Sequence, residues 1–152
     1  MLSPIVLTAL CSLTLLALAS VRRIPQGHVY AFRRMDGHVR IVGAGTHLVM
    51  PLVERVTHKI SLAGAAVAVE GLTRDDGTYR GVVYFQVLDP ERAEVVIEDV
   101  EERLRSATHR LFAVDDLPPA LDERRAAIKH ALNAELRERG LLIARVDLSL
   151  QG

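Results

Sequence analysis

The sequence is nearly without cysteine: Cys11 is the single one in 152 residues. One thiol excludes an internal disulfide and a thiolate metal cluster. Its place inside an apolar run makes it a small apolar filler, with a lipid-carrying thiol as the alternative. Net charge is absent as well, 19 basic side chains facing 19 acidic ones, so no overall field draws the chain toward nucleic acid. Lysine is scarce, Lys59 and Lys129 alone, and this arginine bias reads as the composition of a GC-rich bacterial genome more than as chemistry. Catalytic signatures are missing too. There is no Gly-x-Ser-x-Gly elbow, no His-Glu-x-x-His and no cysteine nucleophile outside the apolar run. The histidines His28, His38, His47, His58, His109 and His130 are scattered, without the short spacing that metal ligation requires. The adjacent carboxylates Asp75 and Asp76 read as turn chemistry, not as an acid and base pair. The sequence therefore predicts no enzyme, no cofactor and no metal.

What is there begins with residues 1–21, which carry no charged side chain. A helix of that length, at ~1.5 Å per residue, matches the ~30 Å hydrocarbon core of a bilayer, which predicts a transmembrane anchor over 1–21 ahead of a domain over 22–152. Ala17-Leu18-Ala19 offers a signal-peptidase site, but Met1-Leu2-Ser3-Pro4 supplies no basic residue, so an uncleaved anchor is preferred to a cleaved, secreted binding domain. The cations follow the run: Arg22, Arg23, Arg33, Arg34 and Arg40, against the single acid Asp36. By the positive-inside tendency they place the domain in the cytoplasm and the short N-terminus outside, a single-pass arrangement in what reads as a bacterial inner membrane. The same five arginines are candidate contacts for anionic headgroups.

Beyond the run, two Asp-Gly pairs, Asp36-Gly37 and Asp76-Gly77, mark hairpins. With Asp36-Gly37 as a two-residue turn, Phe32 faces Ile41 and Arg34 faces Val39. Tyr30, Phe32, Val39 and Ile41 then form the buried face, and Arg33 lies opposite Arg40, where like charges repel. Gly43-Ala44-Gly45 is not a phosphate loop, because a short strand closed by Pro51 follows it where a helix would be needed. Strands are predicted over 56–62 and 65–70, and a central strand over 79–87. The period then changes. Asp89 caps a helix whose first residue is Pro90 and whose apolar stripe runs through Ala93, Val96 or Ile97, Val100, Leu104, Ala107 and Leu111. A second helix starts at Asp115 or Asp116, with Pro118 and Pro119 in its first turn and a stripe of Leu117, Leu121, Ile128, Leu132 and Leu136, and ends at Gly140. Val146, Leu148 and Leu150 alternate as a last strand. Strands first, two amphipathic helices next and a returning strand argue an α+β domain.

Ile24-Pro25-Gln26-Gly27 after an apolar segment, GAGTHLVMP over 43–51, VERV over 53–56 and VVYFQVLDP over 82–90 together resemble the SPFH or band 7 domain of stomatins and prohibitins. Leu104-Arg105-Ser106, Leu121-Asp122-Glu123-Arg124 and the strand over 140–150 extend the resemblance over nearly the whole chain, in order. The positions that carry it are Pro25, Gln26, Gly27, Gly45, Pro51, Asp89 and Pro90. The resemblance implies a membrane-anchored, non-enzymatic scaffold that associates with itself or with other SPFH proteins, organises membrane microdomains and recruits membrane proteins. Its expected partners are membrane lipids and a membrane protease or other membrane protein, and not nucleic acid. The family usually continues into a long Ala- and Glu-rich coiled-coil helix, whereas this sequence stops at Gly152. That departure favours, as the alternative, a regulatory or capping subunit of a membrane protease or of a larger SPFH assembly. His28 stands where many relatives carry an acidic residue.

Overall fold

The computed structural model describes residues 3–151, so that Met1, Leu2 and Gly152 of the expected segments lie outside the described residues. The chain is a mixed α/β protein of two compact units, Met1–Lys59 and Ile60–Gly152.

The first unit opens with helix α1 (Pro4–Ser20), followed by strands β1 (Val21–Ile24), β2 (His28–Arg34), β3 (Val39–Val42), β4 (Gly45–Leu48) and the larger part of β5 (Glu54–Ser61). Proline at the first helical position suits the start of α1, where its missing N–H leaves no bond unmade. The helix then stops one residue short of the charge-free run, because Val21 turns extended and pairs with Leu48 as the first rung of an antiparallel β1–β4 ladder. This overturns the transmembrane anchor. Among the described residues no helix is long and apolar enough to cross a membrane. The 17 residues of α1 extend roughly 25 Å at ~1.5 Å per residue, short of the ~30 Å hydrocarbon core. The single-pass arrangement and its sidedness depended on that crossing and fall with it.

Strands β3, β2 and β5 form a second small sheet in that order. Its hairpin is one residue out of the expected register: Tyr30 pairs with Val42, Phe32 with Arg40 and Arg33 with Val39. The reason is the turn. Gly37 N–H donates to Arg34 O at 3.0 Å and Arg34 N–H to His38 O at 2.9 Å, so the loop holds three residues, with Gly37 at φ +86° in the left-handed position that closes such loops. Arg33 is thereby spared a directly opposed arginine, and Val39 is exposed while Ala31 and Phe32 are buried. Ile24, Phe32, Val42 and Val49 make the core of this unit, with Tyr30 packed against it. Phe32 is fully enclosed and contributes roughly 2–3 kcal/mol.

The second unit is an antiparallel sheet ordered β6 (Ala65–Arg74), β7 (Gly77–Val87), β8 (Leu141–Leu150), with helices α2 (Pro90–Ala93), α3 (Val100–Phe112) and α4 (Leu121–Leu136) between β7 and β8. Asp75 and Asp76 form the β6–β7 turn, since Arg74 pairs with Gly77. On β7 the residues Tyr79, Val83, Phe85 and Val87 are buried, as their spacing predicts. The first expected helix is broken in two, with residues 94–99 in turns. Val95, Val96 and Ile97 are three β-branched residues in a row, whose restricted side chains weaken a helix at that place. The second helix begins later than expected, at Leu121, because Pro119 disfavours helical geometry for the residue before it.

Asp89 caps α2 as its sequence predicts, its Oδ1 accepting from Glu91 N–H at 3.0 Å and from Arg92 N–H at 3.2 Å. Asp89→Ala is expected to lower stability by about 1 kcal/mol in urea denaturation, and Asp89→Asn by a few tenths at most. At the outer edge of the sheet, α4 covers β8. Asn133 accepts from Ile143 N–H at 2.9 Å and donates to Ile143 O at 3.1 Å, and Arg125 donates to Leu148 O.

Candidate membrane-contact surface

Helix α1 has no acidic or basic residue in its first or last turn and no buried side chain. Its polar side chains are satisfied within the helix: the hydroxyl of Thr8 donates to Ile5 O at 2.9 Å, Ser12 to Thr8 O at 2.9 Å, Thr14 to Leu10 O at 2.8 Å and Ser20 to Leu16 O at 2.7 Å. With its hydroxyls so engaged, the helix presents an uncharged, largely hydrocarbon surface, the exposed Cys11 thiol included. A helix apolar all round is stable only against other apolar matter.

Its C-terminal end is tied to a second apolar element. Val49 N–H donates to Ser20 O at 2.8 Å, and the loop over 48–53 that follows exposes Leu48, Met50 and Leu52. Glu54 N–H and Val53 N–H both return to Met50 O, at 2.8 and 3.0 Å, which closes the loop around Pro51. Met35, at the tip of the β2–β3 hairpin, is the most exposed large apolar residue among the described residues at 84%, and its N–H donates to Val53 O at 3.1 Å. Hairpin tip and loop are thus held side by side.

The five arginines singled out from sequence are all exposed, but they do not gather. Arg33 and Arg34 share a groove of about 420 Å³ with Met35, Leu52 and Val53, and with Arg55, which sequence reasoning missed. Arg22 lines a neighbouring groove of about 380 Å³ with Ala19, Val49 and Pro51. Arg23 lies beside the Pro25-Gln26 turn and Gly45, and Arg40 pairs with Phe32 from β3 and lines neither groove. The charge beneath the first groove is partly offset by Glu54, buried to 6% exposure, whose Oε1 accepts from Arg34 Nε at 3.0 Å. The signal for Arg55 was available: in Val53-Glu54-Arg55-Val56 a strand that buries Glu54 sends Arg55 to the other face.

The seven family-motif positions serve the backbone. Pro25-Gln26-Gly27 is a tight turn closed by His28 N–H to Pro25 O, with Gly27 at φ +77°. Gly45 opens β4 opposite Ile24, Pro51 sits in the apolar loop, and Asp89 and Pro90 start α2. Among the described residues no three His, Cys, Asp or Glu side chains come together as a metal-ligand group.

A densely connected polar group lies in the second unit. Arg124, 2% exposed, donates from Nη2 to Asp76 Oδ2 at 3.0 Å and to Pro119 O at 3.2 Å, and from Nε to Pro118 O at 3.1 Å. Its guanidinium lies 5.4 Å from the Tyr79 ring and 5.7 Å from the Phe112 ring, and the Tyr79 hydroxyl donates to the same Asp76 oxygen at 2.9 Å. The group fastens the β6–β7 turn to the start of α4. It acts as a clamp.

No family model matches the chain. The chain is 29% identical over 83 residues to stomatin-like protein 2, mitochondrial, of Homo sapiens and of Bos taurus, a match covering 51% of this chain and 23% of the relative. The Mus musculus protein of the same name gives the same identity, over 24% of its length. The matched stretch is thus less than a quarter of the curated relatives.

Proposed function

The homology to stomatin-like protein 2 supports membership of the SPFH/band 7 family, and on that premise we propose that this chain is a membrane-associated, non-enzymatic scaffold. The observation that carries the reading is α1, a helix without a charge whose hydroxyls are turned to its own carbonyls and none of whose side chains is buried. Such a surface is stable in contact with acyl chains and costly in water. The scaffold acts by holding its two folded units at the membrane, where copies of the chain and membrane proteins collect.

Flotation of the full chain with lipid vesicles tests this. The wild-type chain is expected to rise with the vesicles, and Leu10→Asp with Leu13→Asp to stay at the bottom, since two carboxylates on an otherwise uncharged helix oppose its transfer from water to acyl chains. Cross-linking in the floated fraction is expected to give multimers that are lost on dilution into detergent. A wild-type chain that stays with the soluble fraction overturns the reading.

A further inference from the structure

Residues 48–53, Leu-Val-Met-Pro-Leu-Val, carry no charged or polar side chain, although they form a surface connection. Only Val49 turns inward, to the core with Ile24, Phe32 and Val42. Leu48, Met50 and Leu52 are 77%, 65% and 78% exposed, and Met35 of the hairpin tip borders the same groove as Leu52. A chain surrounded by water rarely displays such a patch. The backbone beneath it is bonded internally: Val49 N–H donates to Ser20 O at 2.8 Å, Val53 N–H and Glu54 N–H donate to Met50 O at 3.0 and 2.8 Å, and Val53 O accepts from Met35 N–H at 3.1 Å. Pro51 has no N–H to satisfy. Irregular backbone approaches an apolar phase only when its polar groups are bonded in this way, and even then it stays out of the middle of the hydrocarbon.

Resting on the membrane-associated reading above, we propose that the loop over 48–53 and Met35 make a second, shallow lipid contact, with Leu48, Met50, Leu52 and Met35 among the glycerol and first acyl carbons. The patch is continuous with the surface that α1 offers. Leu48 pairs with Val21, the residue directly after the helix, and Ala19 of α1 borders one groove with Val49 and Pro51. An uncharged helix with no buried side has no preferred rotation about its own axis in lipid. The loop supplies that preference. Joined to the helix end by the Ser20–Val49 hydrogen bond and the β1–β4 ladder, it fixes which side of the first unit faces the bilayer.

The chain has no tryptophan, so Leu52→Trp places a single reporter in the loop, and Val95→Trp places one at an exposed position of the second unit. Each full-length variant is floated with phosphatidylcholine vesicles, either plain or brominated on the acyl chains close to the glycerol. Both are expected to float. The Leu52→Trp emission is expected to move to the blue and to be quenched by the brominated lipid, and the Val95→Trp emission to do neither. Leu48→Gln with Leu52→Gln, at two exposed positions, is expected to lower the partition coefficient roughly tenfold or more, as the loss of two leucine side chains from lipid requires. Floated Leu52→Trp whose emission stays that of water, or moves no further than that of Val95→Trp, overturns the loop contact and leaves the membrane reading of α1 intact, as does an unchanged partition coefficient in the double variant. A blue shift that needs no vesicles, or that brominated lipid fails to quench, shows the loop buried against another copy of the chain and overturns the lipid assignment. Failure of the wild type to float removes membrane association itself.

Discussion

Arg124→Ala is expected to destabilise the Ile60–Gly152 unit by about 3 kcal/mol, whereas Arg124→Met changes its stability by less than about 1 kcal/mol. The side chain is 2% exposed and lies over the Tyr79 and Phe112 rings, so truncation leaves a void beside two aromatics and removes the bonds to Pro118 O and Pro119 O. Methionine refills that void with a chain of similar length and carries no charge to be desolvated. It also relieves the Nη1 group, which is buried without an acceptor. Asp76, its side chain 46% exposed, then returns to water with little penalty. The substitution to methionine has a second signature. The hydrogen bond from Arg124 holds the Asp76 carboxyl below its ordinary 3.8, with the Tyr79 hydroxyl adding to it and burial opposing. A carboxyl lowered in the folded state contributes stability in full above that ordinary value and loses it as pH falls through the lowered one. Arg124→Met is therefore expected to flatten the acid limb of a stability-against-pH curve measured by urea denaturation. Equal losses in the alanine and methionine variants, or an unchanged acid limb, would refute the clamp.

Gly140→Ala is expected to be as damaging, at about 3 kcal/mol or more, for a reason that lies in the backbone. Gly140 follows the 3₁₀ turn Arg137–Arg139 that ends α4, at φ +76°, and its carbonyl accepts from both Leu88 N–H at 2.8 Å and Asp89 N–H at 3.1 Å. A methyl group there strikes the Asp89 carbonyl oxygen, so the entry to β8 and the cap of α2 cannot both keep their places. By contrast, Gly37→Ala meets no neighbouring atom and bears only the left-handed strain, about 1 kcal/mol. Parallel urea denaturation of the two variants checks the order. A Gly140→Ala loss no larger than that of Gly37→Ala would mean that the junction relaxes.

The sequence made some of this legible and hid the rest for identifiable reasons. β7 was readable because its alternation survives intact, and the start of α2 because an aspartate before a proline has few other uses. The β2–β3 register was missed by one residue because Asp-Gly serves two-residue and three-residue loops alike, and only the hydrogen bonds of Arg34 and Gly37 separate them. β1 was hidden because only Val21 of its four residues belongs to the apolar run, and Arg22 and Arg23 read as flanking cations. The break between α2 and α3 escaped an analysis of period, which counts apolar positions and ignores β-branching. For the candidate surface, exposed arginines were readable, but which of them border one groove depends on pairing between strands distant in sequence. Arg124 was the largest surprise. Its position, three residues after Leu121 and four before Ile128, puts it on the buried stripe of α4, yet an arginine is read by default as solvent-facing.

One detail of the second unit bears on what happens when many copies crowd together. Three of the outward peptide groups of β8 are already engaged by side chains of α4, Ile143 N–H and C=O by Asn133 and Leu148 C=O by Arg125. Local concentration at a surface normally invites edge-to-edge fibre growth. Here α4 and its two side chains interrupt the β8 ladder at Ile143 and Leu148, so a strand arriving from that side meets a broken row of donors and acceptors.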